Sequence, residues 1–332
     1  MSSTAMSATT TTGRQVMPRR PLGRTGLTVP ILSYGASSLG GVYGTLDEAA
    51  GIQAVHLAVE RGVDYFDVSP AYGGTVAETV LGKALRGIPR DRYLLSTKAG
   101  KFTPPGGYGG DEFNYSRPRL LASVEDSLRR LGTDHLDLLF LHDIEYHGQR
   151  HVPQALGEGL DTLRELKRQG VVRFIGLATY PMALWRRVVQ ECDLDVIMTH
   201  SHYALNDTQL LELLPTCARR GIGVVNSSPL ALGLLTARGP APWHPATAEQ
   251  RAVVAQAVDC CRAAGTTLEA LAVSFAVAHP DIPTTLTTSS SPVRLAQSID
   301  AALTPPDPAL VTEVRRLIAP LIDHDWNFGE VC

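Results

Sequence analysis

Asp67, Tyr72, Lys98 and His142 are the side chains in this 332-residue sequence from which chemistry could be assembled. Asp67 lies in the apolar run YFDV (65–68), Lys98 closes YLLSTK (93–98), and His142 closes LDLLFLH (136–142). Tyr72 follows shortly after Asp67, on a turn marked by Pro70, Gly73 and Gly74. Taken singly, a Lys or His at a strand end is most often a solvated rim residue, and an Asp there a helix cap. Four such groups on three consecutive runs call for a joint explanation, and proton transfer supplies one. A free phenol has a pKa of about 10, too high for a base at neutral pH. A nearby ammonium stabilises the phenolate and lowers that value. A carboxylate beside the lysine keeps it charged and oriented, because an unpaired buried ammonium tends to lose its proton. An imidazole next to the phenol can hydrogen-bond a substrate oxygen. The expected roles are therefore Asp67 holding Lys98, Lys98 tuning Tyr72, and Tyr72 moving a proton at a carbonyl or alcohol carbon. No nucleophile accompanies them, so the expected bond-making partner is a hydride carried by a nicotinamide cofactor.

The elements that must position these groups follow from an alternation of apolar runs with helical patterns. ILSYG (31–35), YFDV, YLLSTK, LDLLFLH, FIGLA (174–178), DVIMTH (195–200), GVVNS (223–227) and TTLTT (284–288) read as strands buried on both faces. The segment from Asp47 predicts a helix with Ile52, Val55, His56 and Val59 on one face. Residues 152–170 predict another, with Leu156, Leu160, Leu163 and Leu166 on one face and a stop at Gly170. Eight strand–helix cycles in about 300 residues predict an α/β fold, a (β/α)8 TIM barrel, with an open doubly wound sheet as the competitor. GGVYG (40–44) lacks both the GxGxxG spacing and the following acidic residue of a dinucleotide fold, which favours the barrel. RRPLG and LTVPILSYG around the GRTG turn predict an N-terminal β-hairpin. Residues 237–264 read as an inserted loop and helix before the last cycle, and extra C-terminal helices are expected after it. In a barrel the chemistry sits at the C-terminal strand ends, where neighbours about 4.8 Å apart bring Asp67, Lys98 and His142 together.

Composition narrows the function classes. With 30 Lys+Arg against 33 Asp+Glu and no basic cluster, neither nucleic acid nor an anionic membrane is expected as a partner. No apolar run approaches the roughly 20 residues of a membrane helix. The five cysteines are scattered and odd in number, which predicts reduced thiols and a cytoplasmic setting. Cys260 and Cys261 are expected to pack within a helix. Residues 1–18 are expected to be a disordered tail, and 19–332 one barrel domain, monomeric or weakly homo-oligomeric. His142, His147 and His151, or His200 with His202, lack the spacing and the third ligand of a metal site, so no metal is expected. Loops 101–116 and 142–151 are expected at the rim, supplying Tyr108, Asp111, Asn114, Tyr115, Asp143, Glu145, His147 and Arg150. That density of donors and acceptors suits a small polyol. Trp326 and Phe328 are candidate lid residues.

FDVSPAYGG, STK and LHD resemble the catalytic motifs of the aldo-keto reductases, and the resemblance runs from about Arg19 to Asn327. It implies a (β/α)8 barrel in which Tyr72 is the general acid/base, Lys98 and Asp67 modulate it, and His142 orients the substrate. GASSLGGVYG (35–44), YGGTVAETVLGKAL (72–85), LHDIEY (141–146), HYALNDTQLLELLP (202–215) and SPLALGLLTARGPAPWHPA (228–246) resemble one group within the family. It is the group of the L-galactose dehydrogenases and bacterial aldose 1-dehydrogenases. The resemblance implies oxidation at C1 of an aldose of L-galactose, L-fucose or D-arabinose type, giving a lactone, generally with NAD.

For the cofactor it implies contacts at Ala36, Ser37 and Asp67, at Thr179 and His200, and at Ser228 and Leu230 in SPLALG. It also implies Ser289, Ser290, Arg294 and Gln297 in TTSSSPVRLAQSID (287–300). For the substrate it implies Tyr43, Tyr72, His142 and Asp143. The family's usual Ser-Asn pair after the fifth strand is here Ala178-Thr179, and its frequent aromatic after the seventh is Ser227. Thr179, His200 and Asn206 are the candidates to bond the carboxamide instead. Where NADP-preferring members carry Lys and Asn, this chain has Thr288 and Ser298, with Arg294 keeping a basic position. A 2′-phosphate needs charge-assisted donors, so NAD is expected, with NADP the alternative. The same motifs fit an NADPH-dependent aldehyde or ketone reductase working in reverse. A non-catalytic nucleotide-binding redox-sensor subunit is the reading from a different class.

Overall fold

The computed structural model describes residues 16–104 and 111–326. Most of the expected N-terminal tail, Tyr108 of the first rim loop, and Phe328 lie outside the described residues.

Eight parallel strands close into a barrel. They are β1 (Leu32–Gly35), β2 (Tyr65–Asp67), β3 (Leu94–Ala99), β4 (Leu136–His142), β5 (Val172–Thr179), β6 (Val196–His200), β7 (Gly223–Ser227) and β8 (Thr284–Thr287). Each falls on one of the apolar runs. Pairing of β8 with β1 through Leu286 and Ser33 closes the ring and rules out the open sheet. Continuous apolar runs are needed because both faces are covered. Tyr65, Leu138, Phe140, Val196, Met198, Val225 and Leu286 fill the interior. Outward residues such as Phe66, Leu95, Leu139 and Ile197 pack in the shell beneath the helices.

The hairpin of Arg19–Pro21 and Thr28–Pro30 pairs antiparallel. It sends Leu22, Leu27 and Val29 into the barrel interior, and the Arg24 amide donates to the Gly221 carbonyl at 2.7 Å. The N-terminal end of the barrel is thereby plugged, which leaves the other end for chemistry.

The helices are α1 (Glu48–Glu60), α2 (Val76–Leu85), α3 (Arg117–Leu131), α4 (Leu160–Arg168), α5 (Met182–Glu191), α6 (Leu214–Arg220), α7 (Ala248–Ala263), α8 (Leu268–Ala278), α9 (Pro292–Ala302) and α10 (Pro308–Leu317). Asp47 caps α1 by accepting from the Ala50 amide at 3.0 Å. The buried face of α1 is only partly the expected one: Val55 is buried, and Ile52 and Val59 pack against the core's edge. Gly51, Ala54, Val55 and Ala58 face inward, while His56 is exposed and Ile52 and Val59 are half-buried. Small residues let this helix sit close to its neighbours, with Gly51 against Leu39. On α4, Leu160, Leu163 and Leu166 are buried as expected, but Leu156 is only half-buried. A π-helical turn at Ala155–Gly159 shifts the phase of the face ahead of α4. The insertion carries α7, which starts at a Thr247–Gln250 capping box and buries Cys261. The last helix, α10, is the extra C-terminal element.

Candidate active site

Barrel register brings the polar strand ends together. Asp67 pairs with Ser96 across β2 and β3, and Lys98 lies two residues further on the same inward face. Ser96 Oγ donates to Asp67 Oδ1 at 2.6 Å. Lys98 Nζ donates to Asp67 Oδ2 at 2.5 Å, to the Val68 carbonyl at 3.0 Å and to Tyr72 Oη at 3.1 Å. All three protons of an ammonium are thereby directed, one of them at the phenol. Lys98 and Asp67 are each 2 % exposed.

Tyr72 is delivered by a turn in which its amide donates to the Ser69 carbonyl at 3.1 Å, with Pro70 in the second position. A close backbone approach then holds it. A Cβ on Gly73, whose φ is +65°, would stand 2.1 Å from the Gly40 carbonyl oxygen. A Cβ on Gly40 would stand 2.6 Å from the Tyr72 carbonyl carbon. The loop after β1 therefore rests directly on the tyrosine's own backbone. Gly73→Ala is expected to lower kcat about a hundredfold by displacing the phenol, since an error near 1 Å in a reacting group costs that much. KM for the nucleotide should change much less than kcat in the same initial-rate experiment, because Gly73 itself is absent from the cavity lining.

His142 ends β4 with its ring edge-on to Tyr72, centroids 5.9 Å apart. Its Nδ1 lies 3.1 Å from Ser69 Oγ. Burial drives the imidazole pKa down to about 3, the lysines adding to this and Asp143 opposing it, so the ring is neutral at physiological pH. Burial also raises the Asp67 carboxyl, with Lys98 opposing. Tyr72 departs from expectation. Burial first, then the carboxylates of Asp67 and Asp143, hold its phenol well above 10. The ammonium 3.1 Å away does not reverse that direction. In the free protein Tyr72 is a protonated phenol, poised to give a proton rather than take one.

A second buried cluster adjoins the first. Lys101 donates to Asp143 Oδ2 at 2.8 Å and pairs with Asp111 at 3.3 Å, lying 4.5 Å above the Tyr146 ring. Burial opposes ionising Asp143, but His142 and Lys101 more than offset it, and its carboxyl lies well below the usual range. Asp143 has a left-handed backbone, φ +51°, and so do Ser201 and Ser228 at +61°. All three are the first residue past a strand at this end of the barrel, where such strain clusters around function. Lys101 was missed from sequence because a lysine in a Gly- and Pro-rich loop reads as solvated.

These groups open into a cavity of about 820 Å³. Ser37, Tyr43, Asp67, Tyr72, Lys98, His142, Asp143, His200, Ser228 and Leu230 line it, with Ser289, Ser290, Arg294 and Gln297 at its far end. Burial lowers the His200 imidazole to about 4, so it too is neutral. Several expected contacts do not reach the cavity. Ala36 is fully buried. Thr179 is fully buried, and its hydroxyl donates to Glu145. Asn206 is buried and absent from the lining.

Three of the expected rim residues, Asn114, Tyr115 and Glu145, are structural. The Tyr115 hydroxyl donates to the His142 carbonyl at 2.6 Å and the Asp143 carbonyl at 3.0 Å, propping the turn after β4. Asn114 accepts from the Ser116 amide at 3.0 Å. Glu145 accepts from the Tyr180 amide at 2.9 Å, and burial with Asp143 nearby pushes its carboxyl up to about 8. His147 and Arg150 lie outside the lining; of the described residues expected at the rim Asp111 and Asp143 face it, joined by Lys101 and Tyr146 from the same loops. Trp326 does not serve as a lid. It is buried, its amide donates to Tyr180 Oη at 3.2 Å, and its ring packs on His324 and His244. The aromatic at the mouth is instead Trp243 from the insertion, whose indole donates to the Val42 carbonyl at 3.4 Å and lies 6.1 Å from the Tyr43 ring.

The donor set fits a dinucleotide. The cavity runs from the Tyr72–His142 corner to the N-terminus of α9, capped by Ser291, with Arg294 in its first turn. Backbone amides and a positive dipole at a helix start suit phosphate. Apolar Met198 and Leu286 line the inner wall, where a ring can lie. Among the described residues no group of three or more His, Cys, Asp or Glu is arranged to hold a metal.

A closed eight-stranded α/β barrel with an acid–base cluster and a dinucleotide-sized cleft at one end defines a class of oxidoreductase. The chain belongs to the aldo-keto reductases: the family model for the Aldo/keto reductase family matches residues 31–319. L-galactose dehydrogenase of Arabidopsis thaliana is 36 % identical over 320 residues, covering 93 % of this chain and 97 % of that protein. D-threo-aldose 1-dehydrogenase of a Pseudomonas species is 33 % identical over 233 residues, covering 65 % and 70 %. A solved aldo-keto reductase from Bacillus halodurans, in its holo form, superposes with a TM-score of 0.75 at 26 % identity, covering 94 % of this chain and 99 % of that one. Membership in the family implies a nicotinamide cofactor.

Proposed function

We propose that this protein oxidises the C1 hydroxyl of an aldose to an aldonolactone, with NAD as the preferred cofactor. The carrying observation is the corner where Tyr72 and His142 meet Asp143, a buried carboxylate held by Lys101 at 2.8 Å. An ionised acceptor beside the reacting position favours a substrate with hydroxyls next to the reacting carbon. A plain aldehyde would offer no hydroxyl to the Asp143 oxygen that Lys101 does not occupy, and so would forgo that hydrogen bond. The similarity to L-galactose dehydrogenase and to D-threo-aldose 1-dehydrogenase supports the same substrate class.

A bound nicotinamide supplies the hydride acceptor. The chain supplies the rest. Neutral His142 bonds the C1 oxygen and orients it. Lys98, itself held by Asp67, steadies the Tyr72 phenolate, which takes the C1 hydroxyl proton and becomes the phenol. Because the Tyr72 pKa lies well above 10, oxidation gains from alkaline pH, where the phenolate fraction rises. Preference for NAD is supported by Thr288, whose hydroxyl donates to Ser38 Oγ at 2.8 Å and accepts from the Ser38 amide at 3.1 Å. That side chain braces the loop after β1 and offers no charge to a 2′-phosphate.

Initial rates of cofactor reduction on L-galactose, L-fucose, D-arabinose, D-galactose and D-glucose, with NAD and NADP in turn, test this reading. Asp143→Asn is expected to raise KM for the preferred aldose about 30-fold, the value of one hydrogen bond to a charged group. Its rates on simple aldehydes in the reverse direction should stay within about threefold. Equal losses on both would detach Asp143 from substrate choice. A second reading, aldehyde reduction with NADPH, is favoured by one observation. The protonated Tyr72 phenol is already the form that donates to a carbonyl at neutral pH.

A further inference from the structure

We propose that Ser69 is a positioning residue that fixes His142 in the tautomer carrying its proton on Nε2. Ser69 and Tyr72 are the first and last residues of one turn, closed by the Tyr72 amide on the Ser69 carbonyl at 3.1 Å. Within that turn Ser69 Oγ accepts from the Ala71 amide at 3.1 Å, the local bond a serine in this position commonly makes. The same oxygen lies 3.1 Å from His142 Nδ1. Ser69 is fully buried, so its hydroxyl proton needs an acceptor inside the protein. Among the described residues, Nδ1 is the only acceptor bonded to it. Were Nδ1 to carry a proton, Ser69 Oγ would have to accept it, and its own buried hydroxyl proton would be left unsatisfied.

The far side of the ring gives an independent reason. Asp143 Oδ1 stands 3.6 Å from His142 Nε2. That distance is long for a hydrogen bond, but it decides the polarity: an N–H facing a carboxylate is favoured over a lone pair facing it. Both sides of the imidazole therefore select the same tautomer. With Nε2–H facing the cavity, His142 is a hydrogen-bond donor to the reacting oxygen, the role an oxygen gaining negative charge requires. One short turn, SPAY, carries the phenol at its end and the tautomer switch at its start. The two groups that contact the reacting oxygen are thereby held in one rigid unit. The stretch places Asp67, Ser69 and Tyr72 within six residues because it must anchor Lys98, His142 and the phenol together.

This rests on the reading of His142 as a donor, and it is tested without any substrate. The free protein is labelled with 15N-histidine, and long-range proton–nitrogen correlation spectra distinguish the two neutral tautomers. His142 is assigned by the signals missing from His142→Asn. The parent is expected to show His142 with Nε2 protonated and Nδ1 as acceptor. Ser69→Ala is expected to show a mixture of tautomers and a kcat about tenfold lower, the loss typical when an imidazole's orienting partner is removed. KM for the nucleotide should be unchanged, and Ser69→Thr should restore both the tautomer and the rate. A parent protonated at Nδ1 overturns the proposal. So does a Ser69→Ala protein that keeps the Nε2–H tautomer, which would leave Asp143 as the sole selector.

Discussion

Replacing Tyr72 with Phe is expected to lower kcat about a thousandfold, within the range a positioned acid–base group contributes. The substitution removes one oxygen and little else. The ring keeps its edge-on packing against His142, and the Gly40–Gly73 contact is untouched. Lys98 loses one acceptor but keeps Asp67 at 2.5 Å and the Val68 carbonyl at 3.0 Å. Nucleotide affinity, read by quenching of tryptophan fluorescence, should therefore stay within about threefold of the parent. The pH profile separates the hydroxyl's role from packing. Oxidation by the parent should climb through the alkaline range, because the Tyr72 phenol sits well above 10. The residual rate of the variant should lose that climb. A variant within about tenfold of the parent would remove Tyr72 from proton transfer.

Lys98→Met is expected to have the other large effect, and it should be twofold in kind. Activity should fall about a thousandfold as the phenolate loses the cation bonded to it. The alkaline limb should move further up, since burial and the carboxylates already raise the phenol, and the ammonium 3.1 Å from its oxygen is gone while Lys101 remains. Stability should fall too, by about 3–5 kcal/mol, because Asp67 becomes a buried carboxylate without its cation. Denaturant unfolding reads the second effect, and the double variant Asp67→Asn/Lys98→Met separates it from the first. The double variant should regain most of the stability and none of the activity. Recovery of both would make Lys98 a structural residue only.

The barrel was legible in the sequence because strands covered on both faces must be apolar throughout. A polar residue terminating such a run then stands out, and Asp67, Lys98 and His142 were found in that way. What could not be seen depends on turns rather than periods. The left-handed backbone of Asp143 turns the chain after β4 inward, so Glu145 and Tyr115 become buried braces although polar loop residues read as rim. Lys101 is drawn under by Asp143 and Asp111, a pairing across loops with no signature in spacing. Ala36 and Thr179 were expected from the resemblance as cofactor contacts, yet one is covered and the other is engaged by Glu145. The phenol's pKa was misjudged for a different reason. The sign is a contest between desolvation and neighbouring charge, and depth of burial is not written in the motif. Trp243 crosses to Tyr43 from an insertion whose path over the mouth no local pattern announces.

The most direct test of the central claim is hydride transfer from C1 of an aldose. L-Galactose deuterated at C1 is incubated with NAD and the protein, and the reduced nicotinamide and the sugar product are examined by NMR. Deuterium at C4 of the nicotinamide, together with the aldonolactone and loss of both in Tyr72→Phe, is the expected result. The contradicting result is an unlabelled cofactor and an unchanged sugar across the aldose panel, from a protein that reduces simple aldehydes with NADPH.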